Sequence, residues 1–426
     1  MRPLAACALA LAIAACARDE RAPVAPRLKV LHIAQQSIGG EALDPAQVNS
    51  ILVANVIENL MEPMLRYDYV ARPLKLIPNT VEALPEASEG GRVYTCHIRK
   101  GIYFAPDAAF KGEKRELTAA DYAYSIRRLF DPRYKSSQLF LVDGKIAGAN
   151  ALRTAALGGR AFDYDKPIAG LQVLDRYTLR ITLEAPDRNF LHVLAQQNLA
   201  AVAREVVEMY GDDVGEHPVG TGPFRLVEQH KGSREIFERN PSYREETFEG
   251  RKLPSVDRVE VIHTVEDQPM WLAFLGRELD MMISVPVGFL PMAVPNGRLA
   301  PHLARRGVTA QTYVYPAIWF DVFNLRDPVV GGYAPAKVAL RRAIAMAFDR
   351  RQAIDIIFNG GALPANGLIP PDVAGHDAHE ATNVFDHDVA RAKGLLDLYG
   401  YIDRDGDGWR EAPDGAPLEV EFASPA

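Results

Sequence analysis

Cysteine is scarce: the 426-residue chain holds three, Cys7, Cys16 and Cys96. So few in so long a chain exclude a small disulfide-stapled scaffold. An excess of basic charge is missing as well, with 48 Lys and Arg against 55 Asp and Glu and a net charge of −7. Neutralising phosphates takes a basic surface, so nucleic acid is not an expected partner. Beyond the N-terminal segment no apolar run reaches the roughly 20 residues that cross a bilayer as a helix. The chain also lacks G-x-S-x-G, H-E-x-x-H, G-x-x-x-x-G-K-[ST], and any G-x-G-x-x-G that follows a strand. What remains is an ordinary globular composition, 48% hydrophobic and 24% charged. At about 150 residues per domain it amounts to roughly three domain-sized units.

The N-terminus says where the chain goes. Arg2 is followed by an unbroken run of apolar and small residues from Pro3 to Ala17. The run is too short for a membrane span and suits the apolar region of a secretory signal. It closes on Ile13-Ala14-Ala15-Cys16, which resembles the bacterial lipobox, where cleavage precedes a lipid-modified cysteine. A small-residue stretch that happens to contain Cys is the alternative. The expectation is a signal over residues 1–15, lipid on Cys16, and a Pro-containing tether over 16–27. Losing Arg2 with the signal leaves 47 basic against 55 acidic residues, a net charge of −8. Cys7 goes with the signal, and Cys96 has no intramolecular partner.

Periodicity supplies the elements. Leu28–Ala34 reads as a buried strand. Asp44-Pro45 offers a cap and a first-turn proline for a helix with Val48, Ile51, Leu52, Val56 and Leu60 on its buried face. Residues 92–104 read as strand, glycine turn and strand. Leu117–Phe130 is predicted helical, with Thr118 and Asp121 as a variant capping box. Two hairpins follow, 171–183 about Asp175-Arg176 and 224–238 about Lys231-Gly232, and Asn240-Pro241 ends the second. Val256–His263 is predicted as a strand, with a helix through Trp271, Phe274 and Leu275 after it. Pro335–Phe358 divides into two helices, because Asp349 and Gln352 form a fresh cap inside it, and Gly360-Gly361 ends it. A last helix runs from Val389 to Tyr399. The mixture gives an α/β or α+β chain whose strands return from distant sequence.

Three features invite a chemical reading. Cys96 and His97 are neighbours within a predicted strand and so point to opposite faces, which does not make a nucleophile–base pair. His376, His379 and His387 stand among Asp372, Asp377, Glu380, Asp386 and Asp388. A zinc site can be drawn there, but without ligand spacing, and a solvated loop reads better. Asp403, Asp405, Asp407 and Gly408 match the opening of an EF-hand-type calcium loop, yet its twelfth position is Asp414 and not Glu. A tight acidic turn is the favoured reading and weak calcium binding the alternative. No cofactor is expected, and no metal is assigned.

Five blocks share one likeness. They are Pro218-Val-Gly-Thr-Gly-Pro-Phe-Arg-Leu with Glu238-Arg-Asn-Pro-Ser-Tyr; Asn59-Leu-Met-Glu-Pro-Met-Leu-Arg-Tyr-Asp; Leu117-Thr-Ala-Ala-Asp-Tyr-Ala-Tyr-Ser-Ile-Arg-Arg-Leu; Lys337 to Arg350; and Pro364-Ala-Asn-Gly-Leu-Ile-Pro-Pro. Together they resemble the extracellular solute-binding proteins of family 5, the oligopeptide-, dipeptide- and nickel-binding components of ABC importers. The glycines of the first block permit a close backbone approach, either at a hinge or cleft or in a plain tight turn.

The resemblance implies a two-lobed periplasmic binding protein (type II) of α/β class, with a subdomain inserted in lobe one. Its boundaries here are 28–60 and 170–255 for lobe one, 61–169 for the insert, and 256–426 for lobe two. It also implies ligand contacts at Gln36, Ser37 and Glu41, and on an aromatic strand at Tyr313, Tyr315, Trp319 and Asn324. Alternating aromatics also suit a core. A strand is expected to begin at Leu418, Val420 and Phe422, and family members continue past Ala426, so lobe two is expected to be incomplete. The implied protein is a monomeric, lipid-anchored periplasmic lipoprotein. It binds peptides, delivers them to an ABC permease for transmembrane transport, and is not an enzyme. The alternatives are an exported metal-dependent hydrolase using the His376–Asp388 cluster, a nickel or other solute binder, and a tethered sensor or chaperone on the same scaffold.

Overall fold

A computed structural model describes residues 28–36, 42–379 and 386–423. The chain divides into two compact units, residues 1–283 and 284–426. The expected signal, tether and lipid site lie outside the described residues.

Unit one opens with β1 (Val30–Gln36), α1 (Ile51–Leu60), β2 (Leu65–Tyr67), β3 (Leu76–Pro78), β4 (Glu86–Ser88) and β5 (Val93–His97). It continues through α2 (Ala119–Phe130), α3 (Asn150–Leu157), β6 (Leu171–Asp175), β7 (Thr178–Thr182), α4 (Phe190–Val193) and α5 (Arg204–Tyr210). It ends with β8 (Phe224–His230), β9 (Arg234–Arg239), β10 (Glu246–Phe248), β11 (Arg251–Leu253), β12 (Arg258–Thr264), α6 (Asp267–Gly276) and β13 (Met281–Met282). Unit two contains α7 (Leu290–Ala293), α8 (Pro301–Ala304), α9 (Pro335–Ala347), α10 (Arg350–Ile357) and α11 (Val389–Leu398).

Two sheets organise unit one. The larger has the order β13-β1-β12-β9-β8, with β1 parallel to both β12 and β13. The smaller is antiparallel, β4-β5-β7-β6. The hairpin at 171–183 therefore belongs to the sheet of the region expected as the insert, because its alternating Leu179, Ile181 and Leu183 bury against β5 and α2. β12 pairs with β1, so the chain beyond Val256, expected to open lobe two, first completes the sheet of unit one.

One core holds both sheets, with Tyr122, Ile126, Leu129 and Phe130 of α2 packed among Leu60, Leu65, Tyr94, Leu179 and Ile181. Asp121 accepts from the Thr118 backbone N–H (2.7 Å), as the variant capping box predicts. Asp349 likewise caps α10 by accepting from Gln352 N–H (3.0 Å).

Several expectations change. The helix expected from Asp44 begins at Ile51, capped by Ser50. Asp44 instead takes both terminal nitrogens of Arg128 at 2.7 and 2.8 Å, and both side chains are about 1% exposed. Burial works against the Arg128 charge, but the Asp44 carboxylate beside it holds the guanidinium pKa above its ordinary value. Tyr134 covers the guanidinium, with its ring centre 4.2 Å away. The second strand of 92–104 shrinks to one bridge, Tyr103 to Glu116. In unit two neither the segment around Tyr313 nor that around Leu418 forms a strand. A strand needs a neighbour for its N–H and C=O groups, and among the described residues 418–423 have no strand partner, the nearest pairing being the Glu411–Pro417 bridge.

The two glycines of the Pro218 block meet the end of α1. A Cβ on Gly220 would lie 2.1 Å from the Leu60 carbonyl oxygen, and one on Gly222 would lie 2.6 Å from that of Asn59. Neither glycine has positive φ, so the need is for space and not for a special turn.

Gly220→Ala is expected to lower stability by about 2 kcal/mol or more in denaturant unfolding, as a buried overpacking change does. Gly288→Ala, whose Cβ would meet nothing within 4 Å, should stay within about 0.5 kcal/mol. Arg128→Met leaves Asp44 buried and unpaired, and its expected cost is about 3–5 kcal/mol. The Asp44→Leu/Arg128→Met double variant should recover most of that loss, and equal losses for single and double variants would contradict the pairing.

Candidate functional site

The carboxyl ends of the paired strands β1 and β12 carry several buried polar groups without partners among the described residues. Parallel pairing sets Gln35 beside His263 and Gln36 beside Thr264. On β9, Glu235 faces Val261, two residues before His263 and on the same side of β12. The His263 Nε2 lies 3.3 Å from a Glu235 carboxylate oxygen, and both side chains are nearly buried. Gln229 on β8 donates to the other oxygen at 2.9 Å. Among the described residues Gln35 Nε2, His263 Nδ1 and Thr264 Oγ1 are buried without hydrogen-bond partners. Each such group costs about 1–3 kcal/mol. Strand pairing between residues 228 apart carries no local signal, so Gln35, His263 and Glu235 escape a reading of the sequence. At the opposite edge of β1, Asp280 accepts from His32 N–H (2.8 Å), and this bond holds its carboxyl below the ordinary range.

Of the expected ligand contacts in unit one, Gln36 is exposed at the tip of β1, while Ser37 and Glu41 lie outside the described residues. In unit two, Tyr313, Tyr315 and Trp319 are exposed and irregular in backbone, so they belong to no core. Trp319 leans on Phe358, ring centres 5.5 Å apart. Asn324 opens a turn, accepting from Arg326 N–H at 3.0 Å.

The other chemical candidates have the following surroundings. Cys96 is fully buried, and burial pushes its thiol up to about 12. His97 is exposed, with Nδ1 3.3 Å from the Thr178 hydroxyl. His376, His379 and His387 are exposed, and His376 Nδ1 is 2.7 Å from the Ile369 carbonyl. Glu380, of the same stretch, lies outside the described residues. Among the described residues, the one group of three or more potential metal ligands is Asp403, Asp405, Asp407 and Glu411, all within 4.8 Å. Asp414 is not among them. Asp403 accepts from Gly406 and Gly408 N–H, Asp405 from Asp407 N–H, Asp407 from Trp409 N–H, and Glu411 from Arg404 N–H. The carboxylates thus tie the turn together and also lie close enough to hold a cation, so the geometry suits both the acidic-turn and the calcium reading. Among the described residues no helix is long and apolar enough to cross a membrane.

Comparison with known proteins agrees in one direction. The model of the bacterial extracellular solute-binding proteins, family 5 Middle, matches residues 75–425. The di/tripeptide-binding protein 2 of Pseudomonas aeruginosa is 26% identical over 346 residues, covering 78% of this chain and 58% of that protein. The glutathione-binding protein GsiB of Salmonella typhimurium is 24% identical over 368 residues, covering 85% of this chain and 60% of its own. The chain therefore spans about three-fifths of the length of these curated relatives. Among solved structures, the Escherichia coli murein tripeptide binding protein MppA aligns with a TM-score of 0.66 at 22% identity, covering 88% of this chain and 67% of its own. The periplasmic binding protein DppA from Helicobacter pylori, in complex with the peptide STSA, gives 0.63 at 22%, covering 87% and 66%. These two likenesses speak to fold, a two-lobed α/β binding protein.

The burial of Cys96 yields a check. In the native full chain, the tryptic peptide carrying Cys96 should stay unmodified by iodoacetamide at pH 8 and be modified fully in denaturant, as read by mass spectrometry. Modification in the native state at a comparable rate would refute the inert, buried thiol.

Proposed function

The chain belongs to the bacterial extracellular solute-binding proteins of family 5, and from that premise we propose that it is the peptide-capturing component of an ABC importer. The observation that carries the reading is the match over residues 75–425, joined to relatives named for binding di- and tripeptides and the tripeptide glutathione. The ligand is accordingly a short peptide of two to three residues' size. The proposed contacts are Gln36, Ser37 and Glu41 in unit one and Tyr313, Tyr315, Trp319 and Asn324 in unit two.

Two structural features support this assignment. The unit-two aromatics stand out of the core, where they offer flat apolar faces to side chains of differing shape. In open α/β sheets solutes bind beyond the carboxyl ends of the strands, and here those ends carry Gln35 Nε2, His263 Nδ1 and Thr264 Oγ1, which have no hydrogen-bond partner among the described residues. A peptide backbone, with alternating donors and acceptors, is matched by such groups, and side-chain tolerance follows when main chain carries the affinity. Ligand-driven change requires differential affinity for two states, so binding and delivery share one energetic origin.

Export, lipidation of Cys16 and action as a monomer complete the proposal. The family is one of solute-binding proteins and not of enzymes. The hydrolase alternative needs a metal on the His376–Asp388 stretch, whose described histidines are exposed and ungathered.

The test is thermal unfolding of the full chain with pools of di- and tripeptides, glutathione and, separately, nickel. A peptide at 100 times its Kd should add about 2.7 kcal/mol to stability. Trp319→Ala and Tyr315→Ala should each weaken binding at least tenfold. No stabilisation by any peptide, with stabilisation by nickel, would overturn the assignment.

A further inference from the structure

The β2–β3 hairpin carries a feature that solute capture does not use. Its tip, residues 68–75, has the sequence Asp-Tyr-Val-Ala-Arg-Pro-Leu-Lys. Tyr69 is 88% exposed, Val70 60% and Leu74 61%, and Arg72 and Lys75 are exposed beside them. Exposed apolar side chains are ordinary when scattered, but three on one eight-residue tip form a patch.

The tip is held in shape from within. The Asp68 N–H donates to the Lys75 carbonyl at 2.8 Å and closes the turn. One Asp68 carboxylate oxygen accepts from the N–H groups of Val70 (3.0 Å) and Ala71 (3.2 Å). The Arg72 guanidinium donates to the carbonyls of Tyr69 (3.3 Å) and Ala71 (2.9 Å). At the base, Tyr67 is tied to the body of unit one, its hydroxyl 2.9 Å from His192 Nδ1 and its ring stacked on the imidazole. Local polar groups thus fix the backbone, while the apolar side chains face water. Such order lowers the entropic cost of inserting those side chains into another phase.

Charge selects the phase. The chain as a whole carries −7, yet this tip offers Arg72 and Lys75 against a single carboxylate, already bonded to two N–H groups. Tyrosine with aliphatic side chains, flanked by Arg and Lys, is the composition that settles at a bilayer interface. There, rings sit among headgroups and cations meet lipid phosphates. We infer that the 68–75 tip is a membrane-contact element that seats Tyr69, Val70 and Leu74 in the interface of an anionic bilayer, with Arg72 and Lys75 on the lipid phosphates. The inference stands apart from the ligand and from lipidation at Cys16.

The experiment uses the full chain with Cys7→Ser and Cys16→Ser, and an environment-sensitive nitrobenzoxadiazole label on Tyr69→Cys. The buried Cys96 thiol stays unlabelled. A second protein carries the label on Leu157→Cys, an exposed apolar site at the end of α3 (Leu157 is 65% exposed). Vesicles of phosphatidylglycerol and phosphatidylcholine should brighten and blue-shift the label at 69, and leave that at 157 unchanged. Pure phosphatidylcholine should have little effect. Arg72→Glu/Lys75→Glu should raise the lipid concentration for half-maximal response at least tenfold, with the circular dichroism unchanged. Silence at 69, an equal response at 157, or an equal response to uncharged vesicles would each overturn the inference. So would silence toward lipid combined with slower uptake by Tyr69→Ser in permease-containing vesicles, which would make the tip a protein-docking surface.

Discussion

The passage of Gly220-Thr221-Gly222 against the end of α1 is the constraint on which the rest of unit one depends. A Cβ at either glycine would overlap main chain, and at Gly220 the Met61 side chain as well. The close approach allows Gly222 N–H to reach the Leu60 carbonyl at 2.9 Å, and Ala105 N–H to reach that of Gly220 at 2.8 Å. Thr221, between them, donates its hydroxyl to Glu62 at 2.9 Å, and Arg244 bonds the same carboxylate oxygen at 2.7 Å. Arg244 also reaches Asn79 and Glu246, and Asn240 donates to the Gly222 carbonyl. Segments near 60, 79, 105, 221 and 244 thus meet at one joint. β8 leaves it for the large sheet, while α1 and α2 leave it for the common core. A buried carboxylate such as Glu62 is tolerable only with its partners in place, so the joint forms whole or not at all.

The same joint shows how far a sequence can be read. The block Pro218-Val-Gly-Thr-Gly-Pro-Phe is visible because glycine twice in three residues is a local demand for space. What meets the glycines is not visible, since Leu60 is 160 residues away. Helices and hairpins were legible for the same local reason: period and cap lie within a few residues, as with Asp349 and Gln352. Asp44 was misread because Asp-Pro before an apolar run is a sound helix start in isolation. Arg128, 84 residues on, makes it half of a buried ion pair instead. The segment around Tyr313 alternates as a strand does, yet alternation specifies only which side chains share a face. A strand also needs a neighbouring chain, and sequence does not reveal whether one is there.

The candidate ligand contacts divide along this line. Those inherited by resemblance were nameable by position but not by surroundings. Gln35, His263 and Glu235 are the reverse, since no motif marks them and only the pairing of β1 with β12 and β9 brings them together. Their burial without full compensation costs stability that a purely structural sheet end would recover by using apolar residues. On the proposed function that cost is offset when a bound solute supplies the missing partners.

Electrostatics adds one further step. A chain of net charge −7 is repelled by an anionic surface at long range, and at 0.15 M salt that repulsion fades over about 8 Å. Attraction can then act only through a feature that reaches the surface ahead of the acidic body. On the inference above, the exposed 68–75 tip plays that part. It is basic, apolar and ordered by its own hydrogen bonds, and it extends from a short two-stranded hairpin with the Tyr67–His192 contact at its base. A contact of that kind would be weak and orienting, since two cations and three apolar side chains do not anchor a protein of this size. On the proposed function an orienting contact serves delivery, because a carrier must present one face to its importer and need not be held tightly there.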